Sequence, residues 1–384
     1  MEEIFHCPVY KKCGGCQLDV AYPAQLSYKQ RIARELLGRF GKVEPILGME
    51  DPKNYRCKVS TAFGYSRGRV LSGVWQASTG KIASIDACQL EDPRAGKITG
   101  AIKKLLPRYR LQTYDERTGR GFLRFVTIRI GRVTGEILVA LGTGRGSYIQ
   151  KGDFVRELVR LCPEITTIVQ NLSTDRLNLI LGDKETVLYG PGFITDKLCG
   201  YEFQISARSF FQINPVQTEK LYSLAVEMAE LQGEEKVIDA YCGVGTIGII
   251  ASGKAGKVLA VEQNGQAVKN AIENVKRNSI KNVHVRKADA GSFMAEMARA
   301  GETADVVFLD PPRAGCSREF LLALTRLSPE KVVYISCNPE TQKRDLQVLC
   351  KNGYCVKRIR PVDMFPYTRH VETVVLLIRK DVHE

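Results

Sequence analysis

Residues Lys331–Pro339, KVVYISCNP, constrain the fold of this chain more than any other stretch. Val332, Val333, Tyr334 and Ile335 form an unbroken run of strand formers that delivers Cys337 into a polar Asn-Pro turn. A run without polar alternation must be covered on both faces, which is the situation of a central parallel strand. The carboxyl ends of such strands are where open α/β sheets hold ligands. Cys337 is therefore a candidate nucleophile, and equally a candidate core residue, because an unpaired cysteine packs as a small hydrophobe.

Runs of the same kind occur upstream. Ser206–Asn214, SARSFFQIN, leads into a helix expected over Pro215–Leu231, and a buried strand then begins at Lys236–Asp239 within VIDAYCGVGTIGI. Gly243 and Gly245 permit a tight turn and close backbone approach to a ligand at the start of the next helix. A second strand, Lys257–Val261, ends in Glu262, placed to accept hydrogen bonds from the two hydroxyls of a ribose. Asp289 follows a third strand, Val283–Arg286, where it can face an adenine amine, and VVFLDPPR, Val306–Arg313, carries a fourth strand to Asp310. The turn G243-V-G245-T-I-G248 formally satisfies a dinucleotide fingerprint as well. Three acids bordering one adenosine-shaped ligand favour S-adenosylmethionine over a nicotinamide.

Asp-Pro-Pro after such a strand also occurs in methyltransferases of exocyclic amines, where an aromatic residue usually follows to stack the base. Here the next residue is Arg313, and Cys337 waits one strand later. Carbon methylation suits this set better. Uracil C5 is a poor nucleophile until a thiolate adds at C6, and a base must afterwards remove the C5 proton. Glu372, at the mouth of a final strand expected over Val374–Ile378, is placed for that task. Cys316 and Cys242 are lesser nucleophile candidates.

The N-terminal half has a different character. Of the 384 residues, the first 200 carry 31 Lys and Arg against 20 Asp and Glu, whereas the rest carry 25 against 22, so the net charge of +14 resides mainly in this half. Lys53, Arg56, Lys58, Arg67 and Arg69 form one acid-free group, and Lys97, Lys103, Lys104, Arg108 and Arg110 another, with Tyr55, Phe63, Tyr65 and Tyr109 interleaved. Such patterning suits a polyanion such as RNA. A helix is expected over Pro23–Phe40, packing the N-terminal loop against the segment after it, and another over Lys97–Leu106. Residues 55–90 read as short strands. Further strands are expected at Gly121–Ile130, carrying Arg124 and Arg129, then Glu136–Leu141, Ile165–Gln170, Leu177–Leu181 and Thr186–Tyr189.

Cys7, Cys13 and Cys16 are spaced C-x5-C-x2-C around a Gly-Gly turn. Three thiols so close want a soft metal, and a fourth ligand, Cys57 or Cys88, would complete either a zinc site or an iron-sulfur cluster. No apolar run approaches the roughly 20 residues of a membrane helix, and MEEIFHCPVYKKC lacks a signal-peptide core. A cytoplasmic, membrane-free protein is expected.

Taken in order, SFFQIN, DAYCGVGTIG, LDPPRAG, SCNP and MFPYTRHVE closely resemble the RNA uracil-C5 methyltransferases that make 5-methyluridine. The resemblance spans the C-terminal half, and the N-terminal cysteines extend it over nearly the whole chain. It implies a Rossmann-like class I methyltransferase domain of α/β fold behind an α+β, strand-rich RNA-binding region, with Cys337 as nucleophile and Glu372 as proton acceptor. Gln212, Tyr241, Thr246, Glu262, Asp289 and Asp310 would line the S-adenosylmethionine site. Cys7, Cys13, Cys16 and Cys88 would hold a 4Fe-4S cluster. The expected divisions are 1–22 for the cysteine segment, 23–205 for the RNA-binding region and 206–384 for the methyltransferase domain. The chain begins almost at its cysteines, with no added β-barrel, and so resembles the family's 23S ribosomal-RNA enzymes. Ribosomal RNA is the expected partner, transfer RNA the alternative, and a monomer the expected state.

Overall fold

The computed structural model describes residues 7–76, 79–116, 118–145, 151–173 and 181–380. The first sheet comprises β1 (Lys58–Ser66), β2 (Arg69–Gln76), β3 (Lys81–Ser84), β4 (Leu123–Ile130), β5 (Ile137–Thr143), β6 (Ile165–Leu172) and β7 (Lys184–Tyr189). Its spatial order is β3-β2-β1-β4-β5-β6-β7. Only β5 and β6 run parallel, and the helix Lys151–Leu161 supplies the crossover they require. Every residue of β4 and β5 is buried. One face lies under the helices Pro93–Arg108 and Lys151–Leu161. On the other, Leu138 and Ala140 join a core shared with the hairpin β8 (Phe193–Leu198) and β9 (Tyr201–Ser206) and with the C-terminal half.

The second sheet comprises β10 (Lys236–Asp239), β11 (Lys257–Glu262), β12 (Val283–Lys287), β13 (Val306–Leu309), β14 (Lys331–Ser336), β15 (Tyr354–Val362) and β16 (Glu372–Arg379), in the order β12-β11-β10-β13-β14-β16-β15. The first five are parallel, and β16 returns antiparallel between β14 and β15. The Cys337 strand therefore has a parallel neighbour on one side and an antiparallel one on the other, because the last connection is a hairpin-like return and not a helical crossover. Strand order reverses between β10 and β13, the switch point at which such sheets bind ligands.

Most expected elements are present. The strand expected at Leu177–Leu181 lies, Leu181 apart, outside the described residues. The N-terminal helix runs Tyr22–Leu37, and its most buried line is Gln25, Lys29, Ala33 and Leu37, with Leu26, Ile32 and Leu36 only half-buried. It packs chiefly on the helix Pro339–Lys351 and also on β15, so its main partner is the C-terminal half and not the segment next to it in the chain. Both polar side chains on that line are satisfied: Gln25 donates to the Val20 carbonyl and accepts from the Tyr367 N–H, each at 2.8 Å, and Lys29 Nζ meets Asp363 Oδ1 at 2.5 Å with both of those side chains fully buried. No helix among the described residues is long and apolar enough to cross a membrane.

The strongly basic surface anticipated for the first half is partly neutralised. Lys97, Lys103 and Arg108 pair with Glu164, Asp86 and Glu157. Arg124 and Arg129 face inward. Arg124 binds Glu116 and Ser173, and Arg129 donates to the carbonyls of Ala207 and Ser209, tying β4 to the loop that carries Gln212.

Candidate active site

The carboxyl ends of β10, β11, β13 and β14 and the first residue of β16 open on one cleft of about 850 Å³. Gln212, Tyr241, Thr246, Glu262, Asp289, Asp310, Cys337 and Glu372 all line it. The parallel strands direct their carboxyl ends to the same side of the sheet, and antiparallel β16 begins on that side with Glu372, while the loop before the helix Pro215–Ala229 brings Gln212 over it.

One end suits an adenosine. Gly243 and Gly245 take φ of +54° and +86°, and a Cβ on Gly243 would touch nothing within 4 Å, so the backbone there borders open space. Glu262 accepts hydrogen bonds from the Gly243 and Asn264 N–H groups at 3.1 and 2.7 Å, joining the acid to the glycine turn. Asp289 caps the helix Ala290–Arg299 through the Ser292 N–H. Asp239 is fully buried; its Oδ2 accepts from the Gly248 N–H at 2.8 Å, while Oδ1 has no partner.

The other end gathers Cys337, Glu372, Asp310 and Arg313. Burial, reinforced by Asp310, pushes the Glu372 carboxyl up to about 8. Burial likewise lifts Asp310 to about 7, opposed by a hydrogen bond from Tyr222, and Asp239 to about 7, with Asp310 and Glu262 adding to the rise. Burial first, then Glu372 and Asp310, push the Cys337 thiol up to about 11, while Arg313 pulls it down. Arg313 is held from two directions. Its carbonyl accepts from Asn338 Nδ2 and Thr341 Oγ1, both at 3.3 Å, and its guanidinium lies 3.4 Å from His370 Nδ1. A cleft with this many carboxyl groups suits a cationic ligand such as a sulfonium.

Of the lesser nucleophile candidates, Cys316 lies outside the cleft lining, whereas Cys242 borders the cleft but is only 5% exposed. Cys316 is buried with its thiol 3.8 Å from the Tyr334 hydroxyl, and Cys242 is buried with its thiol turned to the Gly243 carbonyl. Tyr222, His370 and Phe210 also line the cleft and were not anticipated, and Asp239 is buried beneath it. Phe210 is 70% exposed at the cleft rim, and adjacent aromatics in SARSFFQIN were the one available signal.

Among the described residues no three His, Cys, Asp or Glu side chains stand close enough together to hold a metal ion. Cys7, Cys16 and Cys88 nevertheless pack against the same buried trio, Tyr55, Leu90 and Tyr367, and Cys16 lies within electrostatic reach of Cys88, Cys13 and Cys7. Cys57 instead turns its thiol to the Gln212 carbonyl at 3.6 Å. Gly15, Gln17 and Arg56 of this region also line the cleft.

Comparison with known proteins fits this geometry. The model of the tRNA (uracil-5-)-methyltransferase family matches residues 184–380. An uncharacterised RNA methyltransferase of Halalkalibacterium halodurans is 41% identical over 381 residues, covering 98% of this chain and 83% of that protein. One from Listeria monocytogenes is 40% identical over 376 residues, covering 97% and 83%. Among solved structures, the Pyrococcus abyssi tRNA (uracil-54, C5)-methyltransferase in complex with S-adenosyl-L-homocysteine superposes with a TM-score of 0.78 at 26% identity, covering 94% of this chain and 84% of that one. With its mixed sheet and acid-lined switch-point cleft, this chain belongs to the tRNA (uracil-5-)-methyltransferase family and is an S-adenosylmethionine-dependent RNA methyltransferase.

Proposed function

We propose that this enzyme methylates C5 of a uracil in 23S ribosomal RNA, with Cys337 as nucleophile and Glu372 as the proton acceptor. The observation that carries the reading is that Cys337 and Glu372 share one cleft with Glu262 and Asp289. S-adenosylmethionine, when bound, supplies the methyl group at the end bordered by Tyr241, Thr246, Glu262 and Asp289. The Cys337 thiolate bonds to uracil C6 and shifts the ring electrons toward C5, which then takes the methyl. Glu372 removes the C5 proton, the electron pair of that C–H bond restores the C5–C6 double bond, and the C6–S bond breaks to return the thiolate. A carboxylate of raised basicity suits the proton abstraction, and Arg313 stabilises the thiolate as it forms. Gln212, Asp310 and the exposed Phe210 ring surround the space left for the base.

The test is RNA carrying 5-fluorouracil at the target. Fluorine cannot leave as a proton does, so a denaturant-stable adduct should form with the wild type and none with Cys337→Ala. Absence of an adduct from the wild type defeats the reading. A second substrate, transfer RNA, is favoured by the activity of the Pyrococcus abyssi enzyme. Methyl transfer to transcripts of each RNA separates the two.

We propose that Cys7, Cys13, Cys16 and Cys88 hold a 4Fe-4S cluster: Cys7, Cys16 and Cys88 border one hydrophobic trio and Cys16 lies within electrostatic reach of the other three thiols, although the four are not drawn together to metal-binding distance in this structure. We assign residues 1–22 to that segment, 23–205 to RNA binding and 206–384 to methyl transfer, with the enzyme acting as a cytoplasmic monomer.

A further inference from the structure

The loop of residues 363–371 joins β15 to β16 and forms one wall of the cleft through Phe365, Thr368 and His370. Much of what holds it comes from the other end of the chain. Gln25 Oε1 accepts from the Tyr367 N–H at 2.8 Å, and the Tyr367 carbonyl accepts from the N–H groups of Gln17 and Leu18 at 2.9 and 3.1 Å. The Tyr55 hydroxyl donates to the Pro366 carbonyl at 3.0 Å, and Lys29 donates to the Phe365 carbonyl at 3.0 Å.

Tyr367 is at the centre of this arrangement. Its φ is +67°, a left-handed conformation that side chains other than glycine seldom adopt, and such residues persist where their surroundings over-determine them. Here the surroundings do so twice. Both backbone polar groups are bonded to the N-terminal segment, and the residue is only 4% exposed, packed with Tyr55 and Leu90 in the cluster that Cys7, Cys16 and Cys88 border. Glycine would satisfy the backbone but would leave that space unfilled.

We infer that Tyr367 is a positioning residue for methyl transfer: seated in the cysteine-bordered pocket, it sets the Phe365–His370 wall against which the target base must lie. The inference rests on the uracil-C5 reading above. The adenosine end of the cleft is built from β10, β11 and β12 and the turns after them, none of which Tyr367 touches through the bonds described. Cofactor binding and base placement should therefore separate.

The experiment uses the full-length protein as isolated, in the variants Tyr367→Ala, Tyr367→Phe and Gln25→Ala. S-adenosylmethionine affinity, melting temperature and the rate of adduct formation on 5-fluorouracil RNA are measured for each. Tyr367→Ala and Gln25→Ala should slow adduct formation by about tenfold or more at unchanged cofactor affinity, and Tyr367→Phe, which keeps the ring, should restore most of the rate. Wild-type rates in the folded alanine variants would overturn the inference, as would cofactor affinity falling in step with the rate. Should Tyr367→Ala fail to fold, Gln25→Ala decides, since it removes the backbone anchor and leaves the ring in place. A wild type that forms no adduct sinks the uracil-C5 reading instead, so the two failures are distinct.

Discussion

Burial governs the acids in and beneath the cleft one residue at a time. Glu372, raised to about 8, holds its proton more tightly in the folded protein than in the unfolded chain, where a glutamate titrates near 4.3. The stability this contributes is complete below the unfolded value and is lost as pH climbs through about 8. Melting temperature should therefore fall between mildly acidic and mildly alkaline pH, and Glu372→Gln should flatten that slope and gain roughly 2 kcal/mol at the alkaline end, read by denaturant titration. Asp239 and Asp310, each pushed up to about 7, add a second expectation. Binding the sulfonium should favour their ionised forms and release protons, more than the neutral S-adenosylhomocysteine does. Binding heats measured near neutrality in buffers of different ionisation enthalpy report that difference, and equal proton release for the two ligands would contradict it. That Cys337 and Glu372 border one cleft was legible because each lies at an end of an apolar strand. Tyr222 was not, since on an amphipathic helix a buried tyrosine reads as core, and only the fold brings its hydroxyl to Asp310.

At the scale of elements, apolar runs with one clear role were the ones the sequence disclosed: β10, β11, β13, β14 and β16 all fall where continuous burial requires them. β15, YCVKRIRPV, was missed because Lys357, Arg358 and Arg360 give it the look of a solvated stretch. In the structure Arg358 and Arg360 reach Glu44 across the sheet edge. The Tyr22–Leu37 helix was found, but its buried line was misjudged because Lys29 counts as surface until Asp363 is known to face it. That pair lies wholly out of water, with Asp363 also accepting from the Tyr22 hydroxyl at 2.8 Å. Lys29→Met would leave the Asp363 carboxylate without its cation and should cost about 3 kcal/mol in chemical denaturation. The double variant Lys29→Met with Asp363→Leu, which removes both charges, should recover much of that loss. Additive losses in the double variant would mean that the two side chains act independently.

At the scale of the whole molecule, the two sheets share one apolar core, and Arg129 and the buried ion pair lace the halves together around the cleft. No local sequence window could reveal this, because its partners lie tens to hundreds of positions apart. The cysteine segment belongs to the same lacing: the spacing of Cys7, Cys13 and Cys16 suggests a soft metal and leaves Cys57 and Cys88 both open as a fourth ligand, and it is the fold that turns Cys57 toward Gln212. If the four thiols hold a 4Fe-4S cluster, protein purified without oxygen should be brown, with iron and acid-labile sulfide each near about four per chain. Cys88→Ser should lower the iron content, whereas Cys57→Ser should leave it intact. The Tyr367 ring packs in the hydrophobic cluster that Cys7, Cys16 and Cys88 border, so removing the iron should also speed hydrogen exchange across residues 363–371 while sparing β10 to β12. A colourless protein carrying zinc would refute the iron assignment, and unaltered exchange in that loop after iron removal would show that the segment holds its shape through packing alone.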